Sequence, residues 1–411
     1  MKVLIKINSQ RSWIICCLFN FVVAASMGLL MRFIYLFPLK GINYMYLLHA
    51  HSHVAMLGWA YLMMYVLIVH FFIPKEKSDK PIYNQLFWTT EFAVIGMMIS
   101  FPIQGYALFS IVFSTLHILL SYVFCWLVWR DCPKNKNAPE KLLIASILFL
   151  ILSTFGVWCL GPALNMLGKQ SAFYQIAIQF FLHFQFNGWF LFAVLALFIK
   201  QFKNKIELKK FRIFIVLLIL GTIFTLAFPI SWFVKNQIFE RLNTFGVLLE
   251  LISFVFFYQM LRPQINQFIA TFNSVTRMVY ALALGSLFLK IMIQLIVLFP
   301  NLAEVSHQIR NWVIGFIHLT TLGIITGFLF GILLHNNLLP RKAYLLKIGI
   351  KYFFCGYCIT EILLFLQGIF YFLGKGLLFG YYEAIFGASI FLVAGLLLIL
   401  ISVLKTKTRL D

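Results

Sequence analysis

The side chains in this sequence best suited to chemistry are its nine histidines. Imidazole titrates near neutral pH and is the commonest metal ligand in proteins. Five of the nine fall in three short stretches. His49, His51 and His53 stand in HAHSHVAMLGW, His183 in HFQFNGWF and His318 in NWVIGFIHLTTLG. His49 and His53 are four residues apart and share a face if the segment is helical, with His51 turned about 200° away. One face can look into a bundle while the other meets a neighbouring helix or lipid headgroups. His117 lies alone in a long apolar run, where hydrogen bonding to a neighbouring helix is the ordinary role. His70, His307 and His335 lie at the ends of apolar runs or between them and read as interfacial.

The elements that carry these residues follow from composition. The chain has 411 residues, of which 62% are hydrophobic and only 11% charged. A soluble domain carries about 25% charged residues. The apolar runs are long, without the alternation of a barrel strand, so they read as transmembrane helices of about 20 residues each. The fold class is therefore all-α, a polytopic membrane protein of about twelve spans forming one transmembrane domain over 1–411. The spans fall near 12–31, 46–73, 84–102, 106–129, 142–164, 174–199, 211–233, 244–261, 278–299, 312–335, 347–373 and 383–404. Pro74, Pro133, Pro229, Pro263, Pro300 and Pro340 lie near the predicted ends. The N-terminal apolar stretch mimics a signal peptide but is long for one, and reads as an uncleaved first helix.

The net charge of +21 does not point to nucleic acid. With both termini placed in the cytoplasm, 25 of the 33 Lys and Arg residues fall in inside segments. Seven fall outside, and Lys290 lies within a span. That bias is the positive-inside pattern of a membrane protein. Of the seven cysteines most lie inside spans, and Cys355 and Cys358 form a lone CxxC in an apolar helix, so no disulfide framework is implied.

In this orientation the second, sixth and tenth spans all enter from the outside. His49, His51, His53, His183 and His318 then lie roughly 5 to 14 Å below the outer boundary, at about 1.5 Å of rise per residue. Ionisable groups in hydrocarbon are costly and tend to be functional. Glu91, Glu250, Lys290 and Glu361 are further charged groups within spans, where pairing with one another or lining a water path is expected.

The stretch HAHSHVAMLGW resembles the second-helix signature of the haem–copper oxidase subunit I superfamily, and the opening motif of the NnrS membrane proteins. NWVIGFIHLTTLG resembles the tenth-helix signature of the C-type oxidases of that superfamily, and HFQFNGWF loosely resembles their sixth helix. Twelve spans with both ends inside is also the superfamily's plan. The resemblance implies a single b-type haem held between His318 and one of His49, His51 and His53. It implies a copper-ligand position at His183 and a propionate partner in Arg310, for which a headgroup contact is the alternative. Two departures bear on activity. Phe316 stands where the ligand of the oxygen-reducing haem would be, and the seventh span holds no histidine for the paired copper ligands. A lone imidazole does not coordinate copper credibly.

The expectation is thus an integral membrane haem-b protein without a complete binuclear copper site. Electron transfer, or respiration or stress responses involving O2 or NO, are the implied functions. The resemblance also implies the inner (cytoplasmic) membrane and an electron-transfer partner in the membrane or periplasm. Two alternatives remain: a proton-coupled carrier with twelve helices, and a cofactor-free relative of the oxidase subunit.

Overall fold

The chain's structure, a computed structural model, describes residues 10–133, 137–202, 206–270 and 272–406. Lys2, Lys6, Lys134, Lys136, Lys203, Lys205, Lys407 and Arg409, all counted in the inside charge, lie outside the described residues. Among the described residues helix makes up 85%, and no strand occurs. Twelve helices are long and apolar enough to cross a membrane. In chain order they are α1 Gln10–Leu36, α2 Tyr44–Phe72, α3 Pro81–Gln104, α4 Leu108–Asp131, α5 Ala138–Leu167, α6 Ala172–Ile199, α7 Leu208–Ser231, α8 Gln237–Ala270, α9 Ser274–Ile296, α10 Arg310–His335, α11 Tyr344–Phe372 and α12 Tyr381–Lys405. Even the shortest, with 23 residues, rises about 35 Å, enough for the hydrocarbon layer.

Local chemistry sets the helix ends. Asn43 caps α2, its Oδ1 accepting from the amides of Met45 at 3.0 Å and Tyr46 at 3.2 Å. Ser171 caps α6 through the Tyr174 amide. Pro81 opens α3 at a position where a missing N–H costs nothing. Gly105, at φ +62°, ends α3 in a conformation that favours glycine. The eighth span departs furthest from its expected bounds, starting at Gln237. The eighth span does not stop near Pro263; α8 continues through it to Ala270. Proline removes one hydrogen bond from a helix but does not end it where neighbouring structure compensates.

The chain separates into two compact units. The first comprises Met1–Cys132, Ser274–Tyr280 and Thr326–Asp411, and so holds α1–α4, the start of α9, the second half of α10, α11 and α12. The second comprises Pro133–Asn273 and Ala281–Ile325. In the first unit Phe21 stacks on Trp59 at 4.3 Å, and Trp13 on Phe87 at 5.0 Å. Close helix approach at α11 and α12 depends on missing side chains, since a Cβ on Gly395 would meet the Gly349 carbonyl at 2.7 Å. In the second unit Phe198 and Phe214 pack against Phe257.

The distribution of polarity is that of a bilayer protein. Phe92, Ile99, Phe109, Trp126 and Phe155 are exposed, whereas Asn20, Glu91, His117, Glu250 and Lys290 are buried. Water would drive the opposite arrangement. The chain is a multi-pass helical membrane protein.

Candidate functional site

Three helices carry a wide, π-helical turn: Val54–Tyr61 in α2, Phe184–Phe190 in α6 and Leu319–Ile325 in α10. Such turns are rare and occur frequently at functional sites. Each begins on the residue after a histidine, namely His53, His183 and His318. Each contains a glycine five residues after that histidine, Gly58, Gly188 or Gly323, and tryptophan follows the first two. The repeat His-x4-Gly thus occurs in the second helix of each successive set of four. Gly58 and Gly188 are packing requirements as well. A Cβ on Gly58 would lie 2.9 Å from Val94 Cγ1, and one on Gly188 2.6 Å from Phe149 Cγ. Asn20 spans the first of these turns, giving its Nδ2 to the Gly58 carbonyl at 3.1 Å and to Glu91 Oε2 at 2.8 Å.

In the first unit the three histidines of α2 divide between two neighbours. His51 faces α1, where its Nδ1 lies 2.8 Å from the Ala24 carbonyl. A carbonyl only accepts, so Nδ1 carries the proton and Nε2 keeps the lone pair. Gly28, one turn along α1, makes room for the ring, since a Cβ there would lie 2.9 Å from His51 Cε1. Arg32, a turn further, donates to Ser389 and to the Ile385 carbonyl and interacts electrostatically with His51.

His49 and His53 share the other face, as their spacing predicts. Both rings lie against Tyr106, at 4.6 and 5.9 Å, and His53 packs on Phe101 at 4.3 Å. His53 Nδ1 donates to the His49 carbonyl at 2.8 Å, leaving Nε2 3.5 Å from the Tyr106 hydroxyl. His117, buried in α4, contacts the Tyr61 ring edge-on at 4.7 Å. Glu361 is also in this unit and interacts electrostatically with Arg32.

In the second unit His183 has both ring nitrogens engaged. Nε2 donates to the Thr222 carbonyl at 2.7 Å, and Nδ1 lies 3.3 Å from Asn187 Nδ2. A metal ligated by His183 would displace one of these bonds. Nearby, Lys290 and Glu250 form a buried ion pair with Nζ and Oε2 3.7 Å apart. Lys290 also donates to Gln294 at 3.0 Å, and Glu250 accepts from Thr225 at 3.2 Å. A cavity of about 20 Å³ adjoins the pair, enough for one water. Lys290, expected to pair with another intramembrane charge or to line a water path, pairs with Glu250.

His318 is half-buried at the start of its π turn, and Arg310 is exposed at the first residue of α10. Phe316 lies with its ring centroid 5.9 Å from Lys290 Nζ. None of the seven cysteines is in a disulfide among the described residues. Among the described residues, no three His, Cys, Asp or Glu side chains gather around a common point. Sequence reasoning missed Ala24, Gly28, Asn20 and Tyr106, whose roles arise from contacts between helices. It also missed the His-x4-Gly repeat, which was readable once the three motifs were aligned on their histidines. In comparisons with known proteins, neither a family model nor a curated protein matches this chain.

Proposed function

We propose that this membrane protein binds one b-type haem, which His51 would help to hold, and acts in electron transfer or in handling a diatomic gas. The observation that carries this reading is the His51–Ala24 hydrogen bond. Ligating histidines almost always donate their second ring N–H to a carbonyl or carboxylate, which fixes the tautomer and raises the basicity of the ligating nitrogen. His51 has that arrangement, and Gly28 leaves space beside its ring. His53 has the same tautomer, but its Nε2 faces Tyr106. His183 has no spare ring nitrogen, so copper plays no part in the proposal. The resemblance to the haem–copper oxidase subunit I superfamily implies that His318 would also serve as a haem ligand. Bound haem iron would supply one-electron chemistry, while the protein holds the ligand tautomer and a low-dielectric surrounding. The charge bias supports cytoplasmic termini, and the resemblance implies an inner membrane and a redox partner in the membrane or periplasm.

The test is haem content of protein purified from a haem-replete host. About one b-type haem per chain supports the proposal; haem-free, folded protein overturns it. A second reading, a proton-coupled carrier, draws on the buried Glu250–Lys290 pair, since buried charges in spans commonly serve proton or ion movement. Solute uptake into vesicles by haem-free protein would favour that reading.

A further inference from the structure

We infer that the first unit holds an anionic phospholipid at its basic end, with one acyl chain in a groove between α1, α3 and α12 and the phosphate at Lys405. This goes beyond the haem proposal and does not depend on it. The groove has a volume of about 280 Å³, and its walls are Ile15 and Phe19 of α1, Trp88 of α3, and Leu400 and Leu404 of α12. Two polar residues complete the lining. Ser12 is buried, and the Cys16 thiol is hydrogen-bonded to the buried Glu91 carboxyl behind it. The interior is thus suited to hydrocarbon rather than to a polar solute.

Its depth matches one chain of a lipid. Phe19 lies nine residues beyond Gln10, the first residue of α1. The groove therefore reaches about 14 Å in from the helix end, about half of a hydrocarbon layer of 30 Å. Leu404 is the last residue but one of α12, so the mouth lies at the level of the headgroups. Phe19 and Leu404 are 52% and 42% exposed, so the groove opens sideways to the lipid rather than into the bundle.

Charge selects the headgroup. Lys405, the last residue of α12, is exposed beside Leu404 at the mouth. Arg11, at the start of α1, donates to the Val403 and Thr406 carbonyls at 2.9 and 3.0 Å, which brings a second cation to the end of α12. In the sequence, residues 1–11 carry Lys2, Lys6 and Arg11 and no acid, while 404–411 carry Lys405, Lys407 and Arg409 against Asp411 alone. The stretches adjoining the two helix ends at the mouth thus hold six cations and one acidic side chain. Lys and Arg clustered beside a spanning helix attract anionic lipid, each strengthening binding about fivefold. A zwitterionic lipid fills the groove without that gain. A second copy of the chain would bring its own cations to the same place, against their repulsion.

The test is native mass spectrometry of full-length protein, purified and stripped of lipid in detergent, with dioleoylphosphatidylglycerol or dioleoylphosphatidylcholine added back. Wild type is expected to retain one phosphatidylglycerol per chain, about tenfold or more in preference to phosphatidylcholine. Leu404→Trp, which fills the mouth, and Lys405→Glu, which reverses its charge, are each expected to lower that retention about fivefold or more. Lys405→Glu leaves the retention of phosphatidylcholine unchanged. Lys209→Glu, at an exposed position near the start of α7 in the second unit, leaves both lipids as in wild type. If Leu404→Trp fails to fold, Lys405→Glu carries the test. Equal retention of the two lipids overturns the proposal and makes the groove an ordinary boundary-lipid surface. Wild-type preference in the folded groove variants overturns it too, as does a dimer that excludes phosphatidylglycerol, which would assign the groove to a second copy of the chain.

Discussion

The Ala24 carbonyl on α1 holds the Nδ1 proton of His51 on α2 at 2.8 Å. This one bond fixes a tautomer and leaves the lone pair on Nε2. The same two helices supply the space, because Gly28 lies under the ring. Gly28→Ala would place a methyl group 2.9 Å from His51 Cε1 and must displace the ring. The expected outcome is a folded protein whose haem absorption is weakened or shifted, read by optical spectroscopy on matched amounts of wild type and variant. An unshifted spectrum at full haem content would show that the ring position does not matter.

Asn20 offers a test of the first π turn. Asn20→Leu leaves the Gly58 carbonyl and the Glu91 carboxyl without the amide that both use. Loss of a buried partner costs about 1–3 kcal/mol. The thermal midpoint in detergent should fall accordingly, and Asn20→Gln should recover part of it.

The Glu250–Lys290 pair should behave as a coupled unit. Lys290→Met leaves a carboxylate alone in the bundle and is expected to destabilise by about 3–5 kcal/mol. Adding Glu250→Gln should restore most of that loss. Equal and additive effects in a double-mutant cycle would contradict the pairing.

His307, outside the spans, stacks on Trp232 at 4.9 Å with the rings 10° from parallel. Burial lowers its pKa below the ordinary histidine value and Lys235 adds to this, while the Ala303 carbonyl and Glu304 oppose it. The neutral ring is therefore the folded form. Its contribution is complete above the unfolded value of 6.5 and is lost as pH falls through the lower folded value. Trp232 fluorescence should change on titration from about pH 8 to about pH 5, and His307→Phe should remove the change while keeping the stack.

The twelve helices were legible because hydrocarbon imposes both length and apolarity on each span, and those are properties of single segments. The end of α8 was not, since Pro263 breaks a local rule that the surrounding structure overrides. The shared face of His49 and His53 followed from helix period alone. The division of labour among histidines did not. Whether a ring nitrogen donates to Ala24, His49 or Thr222 depends on which carbonyl a neighbouring turn presents. The ion pair of Lys290 was half legible: a charged partner within the spans was required, and which helix supplies it, α8 through Glu250, is a matter of packing.

The most direct test of the central claim is the dithionite-reduced minus oxidised spectrum of purified His51→Ala, beside His318→Ala, His183→Ala and His335→Ala. The tautomer at His51 predicts that His51→Ala loses the low-spin b-type signal, and the resemblance predicts that His318→Ala loses it too, while His183→Ala and His335→Ala keep it. A full low-spin signal in His51→Ala would contradict the assignment and leave the Ala24 bond a purely structural contact.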